Sequence, residues 1–383
     1  MKISIHDSRS IREFILNVLV TGSKGFVGKN ICLYLSEFTE IKVLTFDRSD
    51  SESELEDRIA SADIIIHLAG ENRPKLSTDF EAVNTKLTQS ICKILSNQHS
   101  QASVVLASSI QALSDSDYGR SKFAAEEAVI QLNKSNGNPV AIYRLPGVFG
   151  KWCRPNYNSV VATFCHNMAN DLPIQVNDSQ KVLKLVHIDD VVASLVGHIT
   201  SRLSELSFPL VTPEFEITLG ALAEQIKSFQ VSRTSLELGF VGEGLGRALY
   251  STYISYLPKD KFSYDIPMHI DNRGIFVEFF KNKEVGQFSF LTAGPGVTRG
   301  SHYHHTKTEK FVVVKGVASF GFRHMITNEK HYLEVCGDEP MIVETIPGWA
   351  HDITNVGSEE LIVMVWANEI YNRELADTIP SAV

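Results

Sequence analysis

Between Leu16 and Val148 short apolar runs alternate with amphipathic stretches. Val18–Val20, Val43–Phe46, Ile64–Leu68, Val104–Ala107 and Val140–Tyr143 are rich in β-branched residues and bounded by polar turns, which predicts strands. Between them, Phe80, Val83, Leu87 and Ile91 recur every three or four residues and predict one apolar helical stripe. Strands and helices alternating in this way imply βαβ units and a doubly wound α/β parallel sheet covered on both faces. After about Tyr264 the texture changes. Phe276–Phe280, Gln287–Leu291, Lys310–Val314, Ala318–Arg323, Met341–Thr345 and Leu361–Trp366 are short strand-like runs separated by turn residues. That spacing predicts an all-β antiparallel barrel or sandwich. The Gly-rich and aromatic stretch Val231–Asp265 is the candidate junction, so the pattern predicts two domains, 1–260 and 261–383.

A length of 383 residues agrees with two domains rather than one. The formal charge is -9 and no basic cluster stands out, which argues against nucleic acid as a partner. An acidic chain can still hold a phosphorylated ligand through the N–H groups of a helix N-terminus. No apolar run is long enough to span a bilayer, and the opening MKISIHDSRSIREF lacks the apolar core of a secretory signal. The five cysteines are scattered without a Cys-x-x-Cys pair and read as reduced thiols. These features predict a cytoplasmic protein with no membrane partner.

The first strand runs into Gly22-Ser-Lys-Gly25-Phe-Val-Gly28, which opens a helix. Gly22 suits a tight turn, Gly25 a close approach to pyrophosphate, and Gly28 a close helix–sheet packing. By itself the G-x-x-G-x-x-G spacing is equally that of an ordinary βα turn. The second strand ends in Asp47-Arg48, where a ribose-binding group belongs. Asp47 favours a free 2′-hydroxyl and Arg48 a 2′-phosphate, so NAD and NADP stay open. Tyr118 and Lys122 stand four apart and share a helix face, which a solvated surface would also produce. Ser108-Ser109 at the end of the preceding strand gives the pair a context. A phenol near a cation, with its pKa lowered, and a hydroxyl could together serve a carbonyl receiving hydride.

TGSKGFVG, ADIIIHLAG, Asn84, ASS ending at Ser109, YGRSK, YRLPGVFG and VHIDDVV together resemble the extended short-chain dehydrogenase/reductase family. The resemblance implies a Rossmann-type fold acting on sugar nucleotides, with Ser109, Tyr118 and Lys122 as the catalytic trio. It further implies that Gly22, Gly25, Phe26, Val27 and Gly28 hold the dinucleotide with Asp47, Arg48, Asp63, Leu68, Ala69 and Lys122. Asp189 and Asp190 read as a helix N-terminal cap.

The second informative stretch is His302-Tyr-His304-His305-Thr-Lys-Thr-Glu309, with His351 further on. In a strand, His302 and His304 point to one face, which in a small barrel is the lumen. Three imidazoles and a carboxylate can hold zinc or another divalent transition metal. The set resembles the metal motif of the cupins, a jelly-roll family, except that Pro347 and Gly348 are adjacent where cupins space them. Asp271-Asn-Arg273-Gly274 and Arg299-Gly-Ser-His302 also resemble the metal-free sugar epimerases of the RmlC type, in which the histidine matching His302 is a base. His305, Tyr303 and Lys310 are further candidate bases.

The order of reductase then cupin, with GKWCRPNYNSVVATFCHNMA, LYSTYISYLP and HYHHTKTEKF, resembles a family of bifunctional capsular-polysaccharide enzymes. That resemblance implies NADPH, one divalent metal and a UDP-linked keto-sugar substrate, UDP-2-acetamido-2,6-dideoxy-hexos-4-ulose. The cupin would epimerise C3 and the reductase would then reduce the C4 ketone, giving UDP-2-acetamido-2,6-dideoxy-L-talose on the route to UDP-N-acetyl-L-fucosamine. Cupin pairing through outer strands implies a homodimer. The alternatives are a reductase with a purely structural cupin, or a non-catalytic nucleotide-binding regulator.

Overall fold

The computed structural model describes residues 15–72, 80–200 and 205–383. The opening segment MKISIHDSRSIREF, on which the expectation about a secretory signal rests, lies outside the described residues. Two compact units make up the chain, one of residues 1–226 with 244–257 and the other of 227–243 with 258–383. No helix among the described residues is long and apolar enough to cross a membrane.

The first unit is built on a parallel sheet. Its strands are β1 (Leu16–Thr21), β2 (Ile41–Phe46), β3 (Ile64–His67), β4 (Ser103–Ser109) and β5 (Val140–Leu145), with the short Leu206–Ser207 at one edge. Their order is β2-β1-β3-β4-β5, then the edge strand. All neighbours are parallel, as the βαβ alternation predicts. Side chains alternate between two apolar clusters on opposite faces. Val18, Val20, Ile66 and Val105 pack into one, Leu19, Ile65, Val104 and Leu106 into the other. Helices α1 (Phe26–Leu35), α2 (Glu52–Ser61), α3 (Leu87–Asn97) and α4 (Asp117–Asn136) supply the facing surfaces. The strand order reverses between β1 and β3, and a ligand crevice opens outside the carboxyl ends of strands at such a point.

The stripe expected from Phe80 to Ile91 is helical but not uniform. Glu81–Lys86 forms a π-helical turn before α3 begins. Asn84 within it satisfies polar groups outside the helix, as π-turns at functional sites often do.

The second unit is two antiparallel sheets face to face, the fold class expected from the strand spacing. One contains Gly274–Asn282, Gly286–Ala293, Leu361–Ala367 and Glu309–Lys315, edged by His269–Asp271 and Ile342–Glu344. The other is ordered Lys330–Cys336, Val317–His324, Trp349–Asn355, Thr298–Tyr303 and Ile379–Pro380. In Leu361–Ala367 every second residue is buried, and Leu361, Val363 and Val365 join Phe311, Phe320, Phe322 and Ile353 in the core between the sheets. Five of these strands, beginning at His269, Thr298, Lys330, Trp349 and Ile379, are absent from the runs singled out by hydrophobicity.

Candidate functional sites

Gly22 takes φ +73°, and a Cβ there would lie 2.8 Å from the Ala69 backbone. The first strand can therefore approach the Leu68–Ala69 turn only if residue 22 is glycine. A Cβ on Gly28 would stand 2.2 Å from the Gly22 carbonyl oxygen, so α1 packs against its own entry loop. Gly25 is the N-cap of α1, with no side-chain cap and no acidic residue in the first turn. That leaves a helix terminus suited to an anion. Phe26 and Val27 open the helix and anchor it, with Leu68, in the apolar cluster below.

Asp47 is turned toward this loop. Its carboxylate accepts from Ser23 Oγ at 2.5 Å and from the Lys24 N–H at 3.1 Å. Arg48 is exposed, with its guanidinium 2.6 Å from Glu71, whose other oxygen accepts from the Tyr157 hydroxyl at 2.7 Å. Asp63 corrects an expectation. It sits before β3, at the amino end of the sheet, where its carboxylate accepts from the Asn17 N–H at 2.8 Å. The whole of β3 separates it from the glycine loop, so it fastens β1 to β3 rather than facing a nucleotide there.

Ser109 ends β4 and Tyr118 lies in the first turn of α4, capped by Ser116. The Ser109 hydroxyl is close enough to the Tyr118 phenol to favour its ionised form. One turn on, Lys122 is buried and its Nζ donates to the Ala107 carbonyl at 2.7 Å. Asn84 holds both backbone polar groups of Glu71 and donates to Ser121 Oγ at 3.0 Å. Phe80 packs on the Tyr118 ring at 5.7 Å between centroids. The trio predicted from sequence is thus brought together at the carboxyl end of the sheet.

The electrostatics differ from the expectation of a lowered phenol pKa. Burial pushes the Tyr118 phenol up, and the nearby Ser109 hydroxyl only partly offsets this. The Lys122 ammonium is pulled down to about 8 by burial, against the opposing charge of Glu126. A fall from 10.5 to about 8 corresponds to roughly 3 kcal/mol of destabilisation of the charged form. For a base with a depressed folded pKa, this cost is full below pH 8 and is relieved as pH rises toward the unfolded value. Lys122→Met is therefore expected to raise the melting temperature at pH 7, with the gain shrinking as pH climbs through 8 toward 10.5. An equal or lower melting temperature at pH 7 would count against this account.

In the second unit, His302 stands opposite His351 across the pairing of Thr298–Tyr303 with Trp349–Asn355. The strand carrying His302 ends at Tyr303, so His304 does not share a strand face with it as expected. A bulge between Gly300 and His302, with Ser301 at φ +60°, and the turn after Tyr303 re-aim both rings. The ligand atoms of His302, His304, Glu309 and His351 nevertheless lie within 4.8 Å of one another. Glu309 Oε2 is 3.3 Å from His304 Nε2 and 3.5 Å from His351 Nε2, and Lys307 Nζ is 2.8 Å from its other oxygen. The adjacent Pro347-Gly348 is accommodated by Gly348 at φ +79°, whose N–H donates to the His304 carbonyl.

The chemistry of this set fits a divalent cation. His302 Nε2 and both ring nitrogens of His351 are buried without a hydrogen-bond partner, a costly arrangement unless something satisfies them. Burial, then the other imidazoles, pull His302 down to about 4, so it is neutral and able to ligate. Burial raises the Glu309 carboxyl, but His304, His351 and Lys307 outweigh it and hold the group ionised. His302, Glu309 and His351 open onto a cavity of about 200 Å³, also lined by Arg273, Arg299, Asp352 and several aromatic rings. Tyr303, His305 and Lys310, the other candidate bases, do not line it. Tyr303 and His305 pack on each other, and Lys310 pairs with Glu344. Sequence reasoning passed over Lys307 and Asp352, although Lys307 stands two residues from Glu309 and Asp352 adjoins His351.

Comparison with known proteins agrees with this division. Residues 18–203 match the NAD dependent epimerase/dehydratase family, and residues 269–379 match the polysaccharide biosynthesis C-terminal domain. The chain is 51% identical over 370 residues to a UDP-2-acetamido-2,6-beta-L-arabino-hexul-4-ose reductase of Pseudomonas aeruginosa, covering 96% of this chain and 99% of that one. It is 39% identical to the crystal structure of the capsular polysaccharide assembling protein CapF from Staphylococcus aureus. That match has a TM-score of 0.89 and covers 96% of this chain and all of the other. A UDP-glucuronic acid 4-epimerase from Bacillus cereus, in complex with NAD, matches 65% of this chain and all of its own at 14% identity and a TM-score of 0.54, a likeness of fold alone.

Proposed function

This chain belongs to the family of CapF and its UDP-sugar reductase relatives, and from that premise we propose that it is a bifunctional enzyme acting on one UDP-linked 4-keto sugar. The chain is an oxidoreductase. In the proposed division, residues 261–383 invert C3 of UDP-2-acetamido-2,6-dideoxy-hexos-4-ulose and residues 1–260 then reduce C4. The product is UDP-2-acetamido-2,6-dideoxy-L-talose, a precursor of UDP-N-acetyl-L-fucosamine for capsular or O-antigen polysaccharide. The observation that carries the reductase reading is the placing of Tyr118 on α4 beside Ser109 at the end of β4, with buried Lys122 one turn away.

NADPH, when bound at the glycine loop, supplies the hydride. Tyr118, protonated at neutral pH, is a general acid for the C4 oxygen, and the Ser109 hydroxyl is the second group able to hydrogen-bond that oxygen. Lys122, one helical turn on, is the cation available to favour the phenolate left behind. C4 becomes a secondary alcohol once the carbon has the hydride and the oxygen has the Tyr118 proton.

In the cupin, His302, His304, Glu309 and His351 would hold one zinc or similar ion, whose chemistry is to polarise a carbonyl. The order of the two steps follows from the sugar. A C4 ketone acidifies the C3 proton, and reduction removes that ketone, so epimerisation comes first. A second reading, a purely structural cupin, is favoured by the burial of the ligand set. Deuterium wash-in at C3 without NADPH separates the two, because exchange requires the cupin to act as a catalyst.

Two finer points belong to this reading. NADPH rather than NADH is supported by Asp47, whose carboxylate is engaged by the glycine loop, and by Arg48, whose side chain is 72% exposed. Arg48 can fork onto a 2′-phosphate. NADPH is expected to have at least a tenfold higher kcat/KM with the keto-sugar, and a preference for NADH would overturn the assignment. A homodimer is supported by the edge strand His269–Asp271, all of whose residues are exposed, with Ile270 at 67%. A monomer by light scattering at micromolar concentration would refute it.

A further inference from the structure

The structure assigns Asp377 as a positioning residue for His304 and Glu309, an inference that rests on the metal reading above. Asp377 is 73 residues from His304 in sequence, yet both its main chain and its side chain converge on the turn that follows His304. Its backbone carbonyl accepts from His304 Nδ1. A ring that donates through Nδ1 keeps its lone pair on Nε2, the nitrogen facing Glu309, so this contact fixes both tautomer and ring direction.

The side chain acts on the next three residues. The carboxylate accepts from the N–H groups of His305 at 2.9 Å, Thr306 at 2.7 Å and Lys307 at 2.8 Å, and from Thr306 Oγ1 at 3.2 Å. Three successive N–H groups around one anion form a nest, and bonds to an ionised acceptor are the strong kind. Curling the turn in this way brings Lys307 Nζ to 2.8 Å from Glu309. One residue thus holds His304 directly and Glu309 through Lys307.

The segment after Asp377 is itself fastened. Ile379–Pro380 pairs with Tyr303 and His302, and the Ser381 N–H donates to the Ser301 carbonyl at 2.9 Å. Arg323 donates from Nε to the Ala382 carbonyl at 2.9 Å and from a terminal nitrogen to Ser381 Oγ at 2.8 Å. Asp377 therefore lies two residues before a paired and fastened strand, which gives the support for a ligand an anchor.

The test uses the full chain, stripped of metal and titrated with zinc against a chromophoric chelator. Asp377→Ala is expected to weaken zinc binding by about tenfold or more, the usual effect of losing an outer-shell partner. Cobalt added in place of zinc is expected to give a visible spectrum that differs from the wild-type one. Asp377→Asn keeps one acceptor oxygen and is expected to lose less, so it decides the matter by the same criterion if the alanine variant is insoluble. Wild-type zinc affinity with an unchanged cobalt spectrum would overturn the inference, however far the melting temperature falls. A wild-type chain that takes up no zinc overturns both this inference and the metal reading.

Discussion

Tyr118→Phe is expected to remove nearly all NADPH oxidation with the 4-keto sugar nucleotide while leaving cofactor binding close to wild type. The substitution takes away one oxygen and keeps the ring that packs on Phe80, so the helix and the pocket wall stay. Ser109 keeps a partner, because its Oγ still accepts from the Gln111 N–H at 3.1 Å. What disappears is the proton donor. Burial holds the phenol up, so at neutral pH it carries its proton and can act as an acid. General acid catalysis of this kind contributes typically 10²- to 10⁴-fold. Cofactor consumption in stopped assays gives turnover, and fluorescence of bound NADPH gives affinity. Retention of more than about a tenth of wild-type kcat would sink the general-acid role. If the wild-type chain itself consumes no cofactor with any 4-keto sugar nucleotide, a silent nucleotide-binding protein becomes the better reading.

The parts of this molecule that were legible in sequence share a cause. Val18–Val20 and Val104–Ala107 are buried on both faces, so they read as continuous apolar runs. Tyr118 and Lys122 were legible because a helix turns a spacing of four into proximity. Lys330–Cys336 was missed because it is an edge strand with most of its residues exposed and Val335 its one fully buried residue. Trp349–Asn355 was missed because its inward face interrupts Trp349 and Ile353 with the polar His351 and Asn355. A strand that lines a polar site gives up the alternation that would reveal it.

Long-range polar contacts were not legible at all. Asp63 has the right type and stands in a matching motif, but only the sheet tells which end of β3 it occupies. Glu71 looked unremarkable, yet it pairs with Arg48 and Tyr157 across the sheet's carboxyl end. Glu126 is buried, accepting from Ser108 at 2.5 Å and from Arg144 at 2.7 Å. Its position on α4 would have suggested a solvated charge. A buried glutamate one turn beyond Lys122 was the available signal, visible only as spacing.

The largest effect on the second unit is expected from the metal. Purified protein should carry one divalent ion per chain, most simply zinc, and its removal should lower the melting transition of the second unit by roughly 10 °C. Both ring nitrogens of His351 and one nitrogen of His302 are otherwise left unsatisfied in a buried cavity. A ligand that binds only the folded state at a thousand times its dissociation constant adds about 4 kcal/mol, and each kcal/mol moves the transition of a domain this size by a few degrees. Glu309→Gln removes the one anionic ligand and should leave the ion count well below one per chain at the same free zinc. Its neutral oxygen can still accept from Lys307, so loss of metal rather than loss of fold is the expected readout. Elemental analysis and calorimetry before and after chelation check both claims. A metal-free wild type that melts where the loaded one does would return His302 to the role of base in a metal-free epimerase site.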